Sequence, residues 1–367
     1  MSARRTVVLV ALAASVLSAA VVTARLATSH WDASAFVRAG NVYAHPGQTP
    51  KNLTVIDGIG YDGQFYYRLA LDPFSGARTK FGITLDQPGR RQQRILYPVL
   101  AWIFSGGGKP GAVPWALIVI NAVGLVLIAL VGTTLVRSPW WGLAFAVIPG
   151  VLVALTHDTG EVIAILLALG FLTLFRRDRF ALATIALTFA AFARETTLVF
   201  ALGLLVAALI ARRRTYLVCA LVPLIAFGAW QVFLGARWGT PPLLSAGGRD
   251  ISPIPFYGLI LAGSRWVDRG ARVLTWNIVF ATASLAFLAA GLRALRRSTA
   301  IFHERAAFIL ALILVPFLRS DVWFNFTSFL RAMSEATVLG SIVLLDRSRD
   351  QSANGLSTEG RVSAGTP

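Results

Sequence analysis

The sequence predicts an all-α polytopic membrane protein with about ten transmembrane helices and a large first external loop that carries interfacial helices. Of the 367 residues, 56% are hydrophobic, and the mean hydropathy of +0.67 is too high for a soluble domain. Charged residues make up only 14% of the chain and cluster between the apolar runs. We therefore expect one membrane domain over residues 1–345, with the lipid bilayer as its first partner.

The net charge of +17 comes almost entirely from arginine. Nucleic acid is excluded as a partner because no basic segment stands apart from the apolar runs. Arginine-rich cytoplasmic loops explain the charge better. The single cysteine, Cys219, rules out a disulfide framework and a cysteine metal site, and the four histidines show no ligand spacing.

The first apolar run, Val7 to Ala24, is long enough to span a membrane. Small residues at its end would also suit a signal-peptide cleavage site, but the topology needs an N-terminal anchor, so we predict an uncleaved span. Several later runs are short, which suits helices that end at a water-filled cavity. The nine later spans are expected at about residues 114–136, 140–155, 162–175, 180–193, 197–211, 216–235, 273–292, 306–318 and 331–345.

Residues 25–113 form the longest polar segment, and we predict that they are the external loop. In this loop a short amphipathic helix from Gly63 would lie on the membrane, with Asp62 at its N-terminus. On residue type alone, Asp62 is equally a helix cap or a catalytic carboxylate. Ile95 to Phe104 has ten apolar residues, too few to cross about 30 Å of hydrocarbon, and predicts a second interfacial or re-entrant helix.

The arginine clusters support this topology. With ten spans and both termini cytoplasmic, the basic short loops at 176–179, 212–214 and 293–297 lie inside, as the positive-inside rule requires. Residues 346–367 are rich in serine and glycine and predict a disordered cytoplasmic tail.

Ionisable residues occur at the predicted outer ends of the spans, where they are expensive and often functional. The alternative is that they are ordinary loop residues. Arg194 and Glu195 lie between two apolar runs with almost no loop, so we favour a functional role in which Arg194 holds a phosphate bidentately and Glu195 orients Arg194. The other candidates at these ends are His157, Asp158, Glu161, Arg319, Asp321 and Arg331.

Two further groups of candidates are weaker. Asp158 and Glu161 are three residues apart, so they would share a face if a helix begins there, and two carboxylates could hold a divalent cation. Two carboxylates alone are weak evidence for a metal site. Arg91 and Arg94 belong to a basic stretch that would contact lipid headgroups or form a solvated face.

Residues 61–70, Tyr-Asp-Gly-Gln-Phe-Tyr-Tyr-Arg-Leu-Ala, resemble the aromatic-Asp-x-x-x-Tyr-x-x-(Ile/Leu)-Ala stretch of a known family. That family is the GPI-mannosyltransferase-like branch of the GT-C superfamily of integral membrane glycosyltransferases. Together with residues 91–98, the stretch is similar to bacterial proteins associated with cell-surface glycopolymer formation. The architectural resemblance covers residues 1–345, whereas the sharp motif covers only 57–98.

The resemblance implies transfer of a sugar from a polyprenyl-phosphate donor to a cell-envelope glycan or lipid acceptor on the extracytoplasmic face. It implies Asp62 as the general base, because the family uses this loop carboxylate to deprotonate the acceptor. Many relatives carry a paired acidic motif there, but Asp57 is five residues away, so the need for a divalent cation stays open. The expected substrate contacts are aromatic and polar residues of the motif and arginines for the leaving phosphate: Tyr61, Gln64, Tyr66, Tyr67, Trp323, Arg91, Arg94, Arg194 and Arg331.

Two other functions remain compatible with the sequence. A transporter or flippase for a lipid-linked sugar would also have short spans and buried charges, but we find no inverted repeat. A non-catalytic assembly partner would bind the same lipid without chemistry. Removal of Asp62 separates these functions, since only the enzyme depends on that carboxylate.

Overall fold

The computed structural model describes residues 3–245 and 251–346, and this part of the chain is mostly helical. Residues 347–367, which cover all but the first residue of the predicted tail, lie outside the described residues. The α-helices, numbered in chain order, are α1 (Ala3–Thr28), α2 (Gly63–Leu71), α3 (Pro88–Gln92), α4 (Leu96–Phe104), α5 (Val113–Gly132), α6 (Gly142–Ala146), α7 (Pro149–Thr156), α8 (Glu161–Phe175), α9 (Phe180–Ala193), α10 (Leu198–Ala211), α11 (Arg214–Trp238), α12 (Tyr257–Asp268), α13 (Ala271–Ala294), α14 (Phe302–Leu314), α15 (Ser320–Trp323), α16 (Phe326–Ala332) and α17 (Ser334–Leu345).

Among residues 3–245 and 251–346, four helices, α1, α5, α11 and α13, are long and apolar enough to cross a membrane. Two bent pairs raise the count to six if each pair is one span: α6 and α7 meet at 53°, and α16 and α17 at 56°. The chain therefore has the helices of a multi-pass membrane protein.

The predicted ten spans are not confirmed. Every predicted apolar run does fold as helix, but the remaining four runs form α8, α9, α10 and α14, which have 15, 14, 14 and 13 residues. At a rise of about 1.5 Å per residue, none of these four reaches across about 30 Å of hydrocarbon by itself.

The segment between α1 and α5 is a compact unit with short strands as well as helices. Strand β1 (Ala39–Gly40) pairs in parallel with β2 (Val55–Ile56), and β3 (Thr79–Lys80) pairs antiparallel with β4 (Ile83–Thr84). Short 3₁₀ turns lie at Ala33–Phe36, Pro139–Trp141, Glu195–Thr197 and Val315–Phe317.

Helix α2 does not lie on the membrane surface, contrary to the sequence prediction. All nine of its residues are buried, and it packs against α4 and α5. Its polar side chains tolerate burial because they bond inside the protein: Gln64 Oε1 accepts from the Gly40 N–H at 3.0 Å, and Arg68 Nη2 donates to the Ala77 carbonyl at 2.9 Å.

Helix α4 is the separate short helix that the apolar run 95–104 predicts. Tyr97 anchors it by donating from its hydroxyl to the Leu117 carbonyl of α5 at 3.0 Å. Its far end exposes Trp102, Ile103 and Phe104, the last by 71%, which suits contact with the apolar part of a bilayer.

The two bent pairs touch where they bend. Gly150, in the first turn of α7, lies against α16 and α17 so closely that an added Cβ would be 2.4 Å from the Leu330 carbonyl oxygen and 2.0 Å from Ser334 Oγ. Pro149 starts α7, and Met333 separates α16 from α17. The close approach fixes the position of α16, which carries Arg331.

Candidate functional site

A polar cavity of about 400 Å³ lies where several distant segments meet. It brings together seven of the candidate residues from the sequence, namely Asp62, Arg91, Arg94, Arg194, Glu195, Asp321 and Arg331. The rest of its described lining is Gln87, Arg90, Thr196, Leu318, Val322, Ser328 and Ala332.

Asp62 lies directly before α2, but its side chain makes no capping hydrogen bond. Its Oδ1 accepts from Arg91 Nη1 at 2.7 Å, and its Oδ2 accepts from Arg331 Nη1 at 3.0 Å. The helix-cap alternative for the Asp62 carboxylate is therefore wrong. The carboxylate turns away from the helix N-terminus because two guanidinium groups are stronger partners than backbone N–H groups.

Arg91 uses its other edge to bind a second carboxylate. Its Nε donates to Asp86 Oδ1 at 2.8 Å and its Nη2 to Asp86 Oδ2 at 2.9 Å. The guanidinium also lies 4.1 Å from the ring centre of Phe65. Asp86 and Phe65 thus fix the Arg91 plane and aim Nη1 at Asp62.

Arg331 is held in the same way from the opposite side. Its Nε and Nη2 both donate to Glu161 Oε1, at 2.8 and 2.7 Å, and its guanidinium lies 5.2 Å from the ring centre of Tyr61. Its Nη1 is left for Asp62. We call Asp62, Asp86, Arg91, Glu161 and Arg331 the Asp62 cluster.

Arg194 connects this cluster to α17. Its Nη1 donates to the Arg331 carbonyl at 2.7 Å and lies 3.4 Å from Glu335 Oε1. Thr196 donates its hydroxyl to the same Glu335 oxygen at 2.6 Å. Sequence reasoning missed Glu335, although a carboxylate inside an apolar run is itself a signal of a functional site.

Arg94 and Glu195 form a bidentate pair on the cavity wall, with Arg94 Nε and Nη2 donating to the two Glu195 oxygens at 2.8 and 2.5 Å. Glu195 therefore orients Arg94, not Arg194 as the sequence suggested. Beside this pair, Tyr66 packs edge-on against Tyr97 and lines a small recess next to the cavity.

Burial alone would raise the pKa of the Asp62 carboxyl. Arg91 and Arg331 outweigh burial and hold that pKa well below its usual value. The same reasoning applies to Asp86, whose pKa is lowered by its hydrogen bonds to Arg91 in spite of burial. Both groups are anions at neutral pH, and Asp62 in this arrangement is a weak proton acceptor.

His157 lies behind the cavity and is neutral. Arg38 Nη1 donates to its Nε2 at 3.2 Å, so Nδ1 carries the proton and donates to the Val153 carbonyl at 3.0 Å. Burial, followed by the charge of Arg38, lowers the pKa of His157 to about 3. Its ring packs at a tilt of 49° against Tyr61, with ring centres 4.5 Å apart, so His157 supports Arg331 through Tyr61.

The expected cation site at Asp158 and Glu161 is not formed. Asp158 precedes α8 in a left-handed conformation (φ 47°), so the two residues do not share a helical face. Asp158 is fully buried, which raises its pKa well above the usual value, and Glu161 is bound to Arg331. Among residues 3–245 and 251–346, no group of three or more His, Cys, Asp or Glu side chains is arranged to hold a metal ion.

Three predicted substrate contacts are instead internal. Gln64 Nε2 donates to the Ile59 carbonyl at 2.9 Å, which together with its bond to Gly40 ties α2 to the strands. Tyr67 and Trp323 are fully buried, so their rings are not free to stack on a sugar in this conformation. The described lining of the cavity contains no aromatic side chain.

A scan against protein-family models, a search of curated proteins and a search of solved structures each find no match to this chain. The geometry of the cavity and the resemblance of residues 57–98 are therefore the basis on which a function can be proposed.

Proposed function

We propose that this protein is a membrane glycosyltransferase that moves a sugar from a polyprenyl-phosphate donor to a glycan or lipid acceptor of the cell envelope. One observation carries the proposal: a single cavity in an apolar helical protein brings the loop carboxylate Asp62 together with five arginines, namely Arg90, Arg91, Arg94, Arg194 and Arg331. A carboxylate and a group of fixed cations are what base-assisted transfer from a phosphate leaving group requires.

The chemistry is a single displacement that inverts the sugar. The acceptor hydroxyl oxygen attacks C1 of the donor sugar, and the bond between C1 and the phosphate oxygen breaks. The electron pair leaves with the polyprenyl phosphate, whose charge the arginines stabilise. The hydroxyl proton passes to the Asp62 carboxylate.

The short helices support a site at the outer ends of the bundle. Glu161 begins α8, Arg194 follows α9, and Glu195 precedes α10, so each of these helices has one end at or beside the cavity. Helices that stop at a water-filled cavity do not need the full length of a span. In this proposal they complete a ten-span topology with residues 25–113 and the cavity on the extracytoplasmic face.

A second cavity suits the lipid part of the donor. It is an apolar cleft of about 590 Å³ between α4, α5 and α8, lined by side chains such as Trp115, Val119 and Ile163. Helix α8 contributes to both regions, because Ile163 lines the cleft and Glu161 binds Arg331, which lines the cavity. A polyprenyl chain in this cleft would contact mainly apolar side chains.

Purified protein in lipid nanodiscs tests the function directly. We expect it to transfer radiolabelled sugar from at least one member of a panel of polyprenyl-phosphate sugars to a membrane extract. Asp72→Asn is the matched control, since Asp72 is a loop carboxylate paired with Lys80 at the surface. Transfer by wild type and by Asp72→Asn, and none by Asp62→Asn, would support the enzyme. Donor binding without transfer by the wild type would instead favour the assembly partner.

A further inference from the structure

The Asp62 carboxylate lies on the two cavity-facing nitrogens that are best placed to bind a phosphate. Arg91 and Arg331 each have one edge fixed, by Asp86 and by Glu161, and each presents Nη1 to Asp62. The Nη1 atoms would keep this direction without Asp62, because their orientation depends on the other two carboxylates. The pair is a preformed site for two oxygens of one anion.

We infer that the donor phosphate binds by taking the place of the Asp62 carboxylate on Arg91 and Arg331, which frees Asp62 to accept the proton of the acceptor. The inference builds on the proposed function and adds an order of events. Without donor, Asp62 is held as an anion by two guanidinium groups and accepts protons poorly. With donor, the phosphate neutralises the arginines, and the carboxylate regains its basicity.

Asp62 is easier to displace than the other paired carboxylates of the cavity. It receives one hydrogen bond from each arginine, whereas Glu195 receives two from Arg94 on a single edge. The Asp62 side chain is 27% exposed and that of Glu195 only 15%. Its departure leaves no arginine unpaired, because Asp86 and Glu161 remain bound, so the largest penalty of breaking a buried ion pair is avoided.

The test is the binding of farnesyl phosphate, a short polyprenyl phosphate, with farnesol as the uncharged control. In detergent solution, Asp62→Asn should bind farnesyl phosphate about tenfold or more tightly than the wild type, because apparent affinity rises with the fraction of sites that are free. Farnesol binding should not change. Asp62→Ser, which is also uncharged, repeats the measurement if the asparagine variant does not fold.

Asp321→Asn is the matched control for charge. Asp321 lines the same cavity, but within the described ranges 3–245 and 251–346 it has no ion pair, so its removal frees no arginine. We expect it to tighten binding by about twofold at most, since an exposed charge is screened.

Equal or weaker binding by both Asp62 variants, equal tightening by Asp321→Asn, or no binding of farnesyl phosphate by any form would each overturn the exchange. The outcome is separable from that of the transfer assay. Sugar transfer by the wild type without the tightening would reject the exchange and keep the enzyme. Tightening without transfer would keep the exchange and reject the enzyme.

Discussion

Helix α8 connects two clusters of arginines and carboxylates, one at Glu161, where the helix begins, and one at Arg176, directly after its last residue. At the second cluster, Arg176 Nε and Nη2 donate to the two oxygens of Glu304 at 2.7 and 2.6 Å. Its Nη1 lies 3.0 Å from Asp346 Oδ1 and donates to the Leu135 carbonyl at 3.3 Å. Both clusters tie together segments that are far apart in sequence.

The clusters differ in what their arginines can still bind. At Arg176 every guanidinium nitrogen is bonded to the chain, and the Glu304 side chain is fully buried. At the Asp62 cluster two Nη1 atoms share one partly exposed carboxylate on the wall of a cavity. The same residue types therefore serve as a structural tie where the cluster is closed, and as a ligand site where one partner is exchangeable.

The largest expected effect is on sugar transfer by Asp62→Asn. The rate should fall by roughly 10²–10⁴-fold, because asparagine cannot accept the acceptor proton. Stability should change less, since Arg91 and Arg331 keep Asp86 and Glu161 as partners. The measurement is initial transfer rate at matched protein level, with thermal unfolding of the same preparation. A variant with half of the wild-type rate would show that Asp62 is not the base.

Arg176→Leu should show the opposite pattern. Its removal leaves Glu304 buried without its cation, so the free energy of unfolding should drop by about 3–5 kcal/mol. The transfer rate per folded molecule should stay at the wild-type value, because Arg176, Glu304 and Asp346 are not among the described residues that line the cavity. Denaturant unfolding and transfer assays on the same sample check both statements. If Arg176→Leu lost transfer rate but kept the stability of the wild type, the cluster at Arg176 would not be purely structural.

Low pH should reduce the free energy of unfolding through His157, which lies near the Asp62 cluster and contacts Tyr61. The unfolded chain takes up a proton at this histidine below about pH 6.5. The folded protein resists that proton down to its lowered pKa of about 3. Between these values falling pH favours unfolding, by about 2 kcal/mol at pH 5.

His157→Asn should therefore lose less stability between pH 7 and pH 5 than the wild type, as measured by denaturant unfolding at each pH. The exposed His45 provides the control, because His45→Asn should keep the wild-type acid response. Parallel stability curves for wild type and His157→Asn would mean that the fold accommodates a charged His157.

The smallest predicted effect concerns the orientation of the Arg91 guanidinium group, which Asp86 holds. Asp86→Asn should raise the dissociation constant for farnesyl phosphate by about tenfold, the equivalent of one charge-assisted hydrogen bond of about 1.5 kcal/mol. Asp72→Asn should leave it unchanged. If Asp86→Asn binds as tightly as the wild type, Arg91 does not need Asp86 to hold its orientation.

The local sequence correctly predicted the positions of the helices and several residues of the cavity. Apolar runs predicted the helices because burial of apolar surface is a property of each segment. Arg194 and Glu195 stood out because almost no loop separates the two apolar runs around them. The count of spans did not follow, since it depends on whether a short or bent helix crosses the membrane.

The sequence could not predict which arginine pairs with which carboxylate, because these ion pairs depend on how distant segments of the chain meet. Nothing local shows that Asp62 prefers Arg331, which is 269 residues away, to the backbone of its own helix. The left-handed backbone at Asp158 removed the helical spacing on which the cation site depended. Glu335 was overlooked because it lies inside a segment that was predicted as a membrane span, but a buried carboxylate in such a segment often has a function.

The close contact at Gly150 leaves no room for a side chain, and this contact fixes the geometry of the Asp62 cluster. A single methyl group there would meet the Leu330 carbonyl oxygen at 2.4 Å, and a backbone atom cannot rotate aside as a side chain can. Helix α16 would have to retreat, and the 3.0 Å bond between Arg331 and Asp62 would stretch with it. The distance between the charges of Arg331 and Asp62 thus depends on Gly150, a residue that has no side chain and no charge.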